Sequence, residues 1–232
     1  MDFINELEKL NIKITNKELE KFELYYNELI TVNQHMNLTA ITEKNEVYNK
    51  HFLDSLEIVR AINLNENANF CDVGSGAGFP SIPLAIIASN INVTIIDAVD
   101  KRINFLNDLA KKLGLDNIVA LHKRAEDYAK EKREYFDLVT ARAVARLNVL
   151  AELCLPLTKI GGLFIAMKGQ SGSEELNESL NAIKTLGGEY VKTIEFELPD
   201  EAGKREIIVI KKIKTTPEKY PRLFSKIKEK PL

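Results

Sequence analysis

The chain has 232 residues, of which 45% are hydrophobic and 28% charged, and its formal net charge is −2. This composition is typical of a globular protein and excludes a disordered or generally basic one. No apolar run reaches the length of a membrane span, and residues 1–6 do not resemble a secretory signal. With only Cys71 and Cys154 available, we expect no disulfide framework, no metal site and a cytoplasmic location.

Residues 1–62 are predicted to form an N-terminal helical cap. Asp2 is a candidate N-cap for a short helix, and Asn16 for a longer one with apolar residues at helical spacing. A third helix is predicted from about residue 46 to 61, and it contains His51. This histidine has no companion at metal-binding spacing, so a packed or surface histidine is favoured.

From residue 63 to 214 the pattern predicts an α/β domain, entered through an Asn-rich linker. The predicted strands are 70–73, 92–96, 118–121, 137–141 and 162–167, and the predicted helices are 80–89, 101–113, 125–131, 147–155 and 173–186. Such alternation favours a mostly parallel sheet with helices on both faces. Residues 190–198 and 206–212, on either side of a turn-rich connection, predict an antiparallel hairpin at the end.

The first predicted strand runs into a glycine-rich turn, Asp72-Val73-Gly74-Ser75-Gly76-Ala77-Gly78-Phe79-Pro80. Three alternating glycines let the backbone turn sharply and approach a ligand closely. The N–H groups of the following helix favour a carboxylate or other anionic group. Asp72 lies at the end of the strand and faces the same crevice. The segment alone is also compatible with a tight strand-to-helix turn that binds nothing.

An acidic residue follows the second predicted strand. Asp97 comes about 20 residues after the glycines, the offset at which a carboxylate reaches a ribose hydroxyl pair in nucleotide-binding α/β proteins. The glycine turn and Asp97 together favour an adenosine-bearing cofactor, which these two features leave open between NAD and S-adenosylmethionine. The G-x-G-x-G spacing and the terminal hairpin differ from a dehydrogenase domain and suit the Rossmann-like sheet of S-adenosylmethionine-dependent methyltransferases.

Further polar residues follow the third, fourth and fifth strands. Ala125 and Glu126 could read an adenine ring, although Glu126 could equally stabilise its own helix N-terminus. Arg142, Arg146 and Lys168 are placed to meet a carboxylate or phosphate at the edge where ligands bind. The alternative for each is an ordinary surface side chain.

The sequence lacks the signals of several methyl-transfer chemistries. It has no Asn-Pro-Pro-Tyr or Asp-Pro-Pro-Tyr tetrapeptide, which disfavours methylation of an exocyclic amino group. Neither cysteine is in the setting of an activated nucleophile. An acceptor that is already nucleophilic, such as the in-plane lone pair of guanine N7, fits this absence because positioning and charge stabilisation then suffice. We therefore assign no general base.

Five segments carry a resemblance to a known family. They are Asn37-Leu38-Thr39-Ala40-Ile41, His51-Phe52-Leu53-Asp54-Ser55-Leu56, the glycine turn, Thr140-Ala141-Arg142-Ala143 and Met167-Lys168-Gly169. In this order they resemble the bacterial RsmG (GidB) family, which methylates N7 of a guanine in small-subunit ribosomal RNA. The resemblance implies S-adenosylmethionine as cofactor, held by the glycine turn with Ser75, Gly76 and Gly78, and by Gly74, Phe79, Ala125, Glu126 and Arg142, with Asp97 on the ribose.

The resemblance also implies 16S rRNA or the small ribosomal subunit as partner, and we expect the chain to act as a monomer. From Lys204 to the end there are ten Lys or Arg against three Glu, which is either a solvated tail or a footprint for a polyanion. Candidate RNA contacts are Arg146, Lys168 and Arg222, the last in a basic tail of residues 215–232. Arg142 and Lys168 are also candidates for positioning the reactants.

In the tail, Pro221-Arg222-Leu223-Phe224-Ser225 replaces the second arginine and the glycine usual in the family. Alternatives left open are a methyltransferase for a small molecule or protein, a nicotinamide-dependent oxidoreductase, and a non-catalytic RNA-binding module.

Overall fold

The computed structural model describes residues 1–232. Its α-helices are α1 (Phe3–Lys9), α2 (Asn16–Met36), α3 (Lys44–Val47), α4 (Asp54–Leu56), α5 (Ser81–Ile87), α6 (Asp100–Leu113), α7 (Ala125–Glu131), α8 (Leu147–Cys154), α9 (Gly172–Thr185) and α10 (Phe224–Glu229). Its strands are β1 (Ala68–Val73), β2 (Ile91–Asp97), β3 (Ile118–His122), β4 (Phe136–Arg142), β5 (Thr158–Gly169), β6 (Gly188–Leu198) and β7 (Gly203–Lys212). None of the helices combines the length and the apolar character that crossing a membrane requires.

All seven strands form one sheet in the order β3-β2-β1-β4-β5-β7-β6. The first five strands pair in parallel, whereas β7 runs antiparallel to both β5 and β6. The predicted mostly parallel α/β sheet with an antiparallel C-terminal hairpin is therefore confirmed. Because β1 to β5 run the same way, the residues that follow them meet at one edge of the sheet.

The first two helices begin at side chains that satisfy their free N–H groups. The Asp2 side chain accepts a hydrogen bond from the Asn5 N–H, as predicted for α1. The prediction of Asn16 as N-cap of α2 is wrong by one residue, because Thr15 and Glu18 form a reciprocal capping box there. A capping box satisfies two backbone donors where a single side chain would satisfy one.

The single third helix predicted at residues 46–61 is also wrong. Four short helical segments follow one another here: α3, a π-helical stretch Tyr48–Leu53, α4, and a 3₁₀ turn Glu57–Arg60. The wider π turn inserts extra backbone into one turn, and the Ser55 hydroxyl donates to the carbonyl of His51 at 2.5 Å. Apolar periodicity does not reveal these changes of helix type, which bring His51 and Asp54 to the ligand-binding edge.

Two hydrophobic clusters cover the two faces of the sheet. The larger one joins the N-terminal helices to α5 and α6 and includes the fully buried Phe22, Tyr25 and Phe52. The other lies under α7, α8 and α9 and also takes in Tyr220 and Ile227 from the last segment of the chain. Residues 1–62 and the tail thus belong to the two hydrophobic clusters that cover the sheet.

Candidate active site

The glycine turn leaves β1 with three backbone conformations that L side chains rarely adopt. The φ angles of Gly74, Gly76 and Gly78 are +77°, +61° and +109°. A Cβ on Gly78 would lie 2.8 Å from the Tyr25 hydroxyl, and one on Gly74 would lie 2.8 Å from a methyl group of Val144. Glycine is therefore required at both positions for conformational and steric reasons.

Two polar groups beside the turn are buried and have no hydrogen-bond partner within the protein. They are the Ser75 hydroxyl and the Oδ1 oxygen of Asp72. The other oxygen of Asp72 accepts a hydrogen bond from the Ser81 hydroxyl at 2.6 Å. Burial raises the pKa of the Asp72 carboxyl to about 7. Since buried polar groups are nearly always paired, the turn is suited to a polar ligand that supplies the missing partners.

A small cavity of about 130 Å³ lies between the ends of β1, β2 and β3. Four residues predicted to bind the cofactor line it, namely Gly74, Asp97, Ala125 and Glu126. Asp97 is only 5% exposed, and its Oδ1 accepts a hydrogen bond from the Val99 N–H at 2.8 Å, which fixes the carboxylate at the end of β2. The structure thus brings the glycine turn, the predicted ribose ligand and the predicted adenine contacts together.

A larger cavity of about 510 Å³ opens on the other side of Val144, at the ends of β4 and β5. A buried charge cluster forms part of its wall: Asp54 accepts hydrogen bonds from Arg142 at 2.7 Å and lies 3.2 Å from the Nε of Arg205. Burial raises the pKa of the Asp54 carboxyl, and the two guanidinium groups partly oppose that shift. The cluster holds Arg142 in a fixed orientation toward the cavity.

His51 lines the same cavity and is neutral at physiological pH. Burial, with the nearby positive charge of Arg142, lowers the pKa of its imidazole to about 4. Its Nε2 lies 2.7 Å from the Thr39 hydroxyl, and its ring stacks on Phe79 with centroids 4.5 Å apart. His51 is thus packed against Phe79, which is one of the two predicted settings, and it also faces a cavity.

Phe79 is held between aromatic neighbours and a cation. Its ring stacks on that of Tyr25, with the two centroids 5.5 Å apart. Tyr25 belongs to α2, and its hydroxyl donates a hydrogen bond to the Ala77 carbonyl in the turn. The Arg142 guanidinium carbon lies 5.1 Å from the centre of the Phe79 ring. The side chain of Phe79 is only 5% exposed, so it braces the turn and Arg142, and its proposed contact with the cofactor remains a prediction.

Comparison with known protein families shows to which family the chain belongs. The family model described as rRNA small subunit methyltransferase G, or GidB, matches residues 18–207. The chain belongs to this family. It is 50% identical to ribosomal RNA small subunit methyltransferase G of Lactobacillus acidophilus over 100% of this chain and 98% of that one. It is 53% identical to the protein of the same name from Staphylococcus saprophyticus over 91% and 89% of the two chains.

Two solved structures share the fold of this member of the rRNA small subunit methyltransferase G family. An O-methyltransferase from Bacillus cereus, in complex with SAH, superposes with a TM-score of 0.57 at 18% identity, over 80% of this chain and 89% of that one. TrmN from Thermus thermophilus gives a TM-score of 0.55 at 17% identity, over 70% and 49%. The predicted Rossmann-like methyltransferase fold is therefore confirmed.

Membership of the family confirms that the chain is a methyltransferase that uses S-adenosylmethionine. The residues present fit this cofactor: the small cavity carries the groups expected for an adenosine, and the glycine turn carries the unpaired polar atoms of Ser75 and Asp72. No group of three or more His, Cys, Asp or Glu side chains is arranged to hold a metal ion.

Asp97 provides a direct test of the adenosine site. We expect Asp97→Ala to weaken S-adenosylmethionine binding about 10- to 100-fold, because a charge-assisted hydrogen bond contributes about 1.5–3 kcal/mol. Asp100→Ala, three residues along and largely exposed, serves as the matched control and should bind normally. Calorimetric titration measures both, and unchanged affinity in Asp97→Ala would refute the ribose assignment.

The three candidate RNA contacts differ in their surroundings. Arg146 is 61% exposed and pairs with Glu178 on the surface. Lys168 is buried, and its ammonium donates to the Ala145 carbonyl and the Glu175 carboxylate, both at 2.7 Å. Arg222 forms a bidentate pair with the fully buried Glu152. Lys168 and Arg222 are thus paired with carboxylates inside the protein. The local sequence pattern does not predict these pairs.

The buried Lys168–Glu175 pair leads to a stability prediction. Lys168→Met leaves Glu175 without its cation, so we expect the free energy of unfolding to fall by about 3 kcal/mol, as when one member of a buried ion pair is removed. Lys159→Met, which breaks a more exposed pair with Asp137, should cost less than about 1 kcal/mol. Urea unfolding measures both variants. Normal stability with a lower salt dependence of RNA binding would instead identify Lys168 as a phosphate contact.

Sequence reasoning did not single out two residues of the larger cavity. Arg205 and Phe196 both reach it from the C-terminal hairpin, far along the chain from the glycine turn. The register that places Arg205 opposite both Gly169 and Phe196 brings them to the site. The only local signal is the excess of Lys and Arg after Lys204. This excess does not show that the Arg205 side chain faces a cavity.

Proposed function

We propose that the chain methylates N7 of a guanine in 16S ribosomal RNA, and that the guanine enters the 510 Å³ cavity. The observation that carries this proposal is a cavity with fixed cations and carboxylates but without an activated base or nucleophile. Arg142, Arg205 and Glu206 line it, and the Asp54 carboxylate pairs with both guanidinium groups. Guanine presents acceptors at N7 and O6 and a donor at its N2 amino group, which suits this mixture of charges.

The titratable groups favour an acceptor that needs no deprotonation. Cys71 and Cys154 are buried, and burial raises the pKa of each thiol well above its usual range. Neither can supply the thiolate that covalent methylation of a pyrimidine carbon requires. Guanine N7 carries a lone pair in the plane of the base, and this atom attacks a methyl group without losing a proton.

When bound, S-adenosylmethionine supplies an electrophilic sulfonium methyl group. The protein's own contribution is to hold the acceptor in line and to stabilise the changing charge. Arg142, fixed by Asp54 and by Phe79, is the residue we assign to positioning. Phe196, whose ring contacts the Arg60 guanidinium, provides an aromatic face at the rim on which an unstacked base can rest.

Contacts with RNA phosphates are proposed for exposed basic residues after β4 and in the tail. Arg146 follows β4, and its surface pair with Glu178 is weak enough to exchange for a phosphate. Lys226, Lys228 and Lys230 are exposed on the outer side of the tail. We also propose that the chain acts as a monomer in the cytoplasm, where its ribosomal substrate lies.

The test is methyl transfer from labelled S-adenosylmethionine to small subunits from a strain lacking this protein, followed by digestion and identification of the labelled nucleoside. Subunits from the parent strain, already modified, are the control and should accept little label. Label in 7-methylguanosine from 16S rRNA supports the proposal. Label in another nucleoside refutes the N7 assignment. Cofactor binding without any label would indicate a small-molecule or protein acceptor, or a non-catalytic binder.

A further inference from the structure

The C-terminal segment after β7 is held to the body of the protein at several points. The Lys212 ammonium is fully buried and donates to the Leu155 carbonyl and to the Thr216 hydroxyl. Arg133 donates to the carbonyls of Thr216, Pro217 and Tyr220. The chain from 212 to 220 is therefore fixed by two cations, which bind backbone carbonyls, the Thr216 hydroxyl and the Glu134 carboxylate.

The next anchor is the pair between Arg222 and Glu152. Glu152 is completely buried in α8, and it accepts from the Arg222 backbone N–H at 2.9 Å as well as from the guanidinium. The hydrogen bond with Glu152 raises the pKa of Arg222 above its usual value. A buried carboxylate that meets one cation in this way sets the position of the residues that follow.

Beyond this anchor, α10 lies over the small cavity beside the glycine turn. Ile227 is fully buried in the cluster under α7 and α8, and Phe224 packs partly against the same cluster. Phe224 also lines the 130 Å³ cavity, together with Gly74, Asp97 and Glu126. The preceding residue, Leu223, points outward and is 59% exposed.

We propose that α10 is the outer wall of the adenosine site and that Phe224 contacts the adenosine of S-adenosylmethionine. The proposal rests on the cavity that Phe224 shares with the glycine turn and on the buried Glu152 that fixes the segment. The tail is then a cofactor-binding element on its inner side. This inference concerns the cofactor alone, and it does not depend on which base is methylated.

The first test compares Phe224→Ala with Leu223→Ala by calorimetric titration of S-adenosylhomocysteine. We expect Phe224→Ala to weaken binding by at least about fivefold, the lower limit for removal of an aromatic side chain that contacts a base. Leu223→Ala should bind as wild type does, because its side chain is outside the cavity. Equal affinity in the two folded variants would overturn the proposal.

The second test reports on contact directly and remains decisive if Phe224→Ala folds poorly. The chain contains no tryptophan, so Phe224→Trp introduces a single fluorescent reporter into the cavity wall, and Leu223→Trp places one outside it. We expect the emission of Phe224→Trp to change on titration with 5′-methylthioadenosine, which carries the adenosine but lacks the amino-acid part. A change confined to Leu223→Trp, or absent from both variants at saturating ligand, would contradict an adenosine contact.

Discussion

Replacing Arg142 by alanine is expected to abolish methyl transfer and to lower the free energy of unfolding by about 3 kcal/mol. The Asp54 carboxylate is 9% exposed and would keep only Arg205 as a charged partner. Removing one member of a buried ion pair costs about 3–5 kcal/mol, and the remaining arginine places the expectation at the lower end. Phe79 would also lose its contact with the guanidinium group.

Arg146→Ala is the matched control for the stability of this variant, since its side chain lies four residues along and is mostly exposed. It should change the free energy of unfolding by no more than about 0.5 kcal/mol. The double variant Asp54→Asn/Arg142→Ala removes the Asp54–Arg142 pair as a whole, and it should lack activity as the single variant does. Urea unfolding and methyl-transfer assays measure these effects. Wild-type transfer by Arg142→Ala would show that this residue does not position the reactants.

Replacing Asp72 by asparagine is expected to stabilise the ligand-free protein above pH 7 and to weaken its binding of S-adenosylmethionine. The pKa of Asp72 is about 7 in the folded protein, whereas the ordinary pKa of an aspartate side chain is 3.8. As the pH rises from about 4 to 7, the unfolded chain releases this proton while the folded chain retains it, so the wild type loses stability across that window. A difference of about three pKa units corresponds to up to about 4 kcal/mol.

Asp72→Asn does not titrate, so its stability relative to wild type should rise between pH 4 and 7 and then remain level. Its side-chain oxygen can still accept the hydrogen bond from Ser81. Asp108→Asn, at an exposed position of α6, is the control and should follow the wild-type curve. Urea unfolding at several pH values measures the trend. A constant difference between Asp72→Asn and wild type at all pH values would show that the carboxyl titrates normally.

The parts of the fold and site that depend on local patterns could be predicted from the sequence. The glycine turn, Asp97 at the end of β2, and Ala125 and Glu126 after β3 are each announced by neighbouring residues, and the structure places all of them around one cavity. The alternation of strands and helices likewise predicts the sheet, because hydrophobic periodicity reports directly on which face of an element is buried.

The parts that depend on long-range partners could not be predicted. Arg222 reads as a surface residue, but its carboxylate partner lies in α8, 70 residues away in sequence. The partner of Lys168 is only seven residues along the chain, in α9, and only the packed structure shows that this pair is buried. The π turn before Asp54 is equally invisible to a helical pattern. Phe224 belongs to a short basic tail, and its place in the cofactor cavity follows from the Arg222–Glu152 anchor, whose two residues are 70 apart in sequence.

The most direct test of the central claim uses small subunits reconstituted with 16S rRNA transcribed either with guanine or with 7-deazaguanine, in which a C–H group replaces N7. The deaza base keeps the O6 and N2 groups but offers no lone pair at the reacting position. We expect labelled methyl groups from S-adenosylmethionine to enter the guanine-containing subunits and not the deaza-containing ones. Equal incorporation into both would contradict methylation at guanine N7.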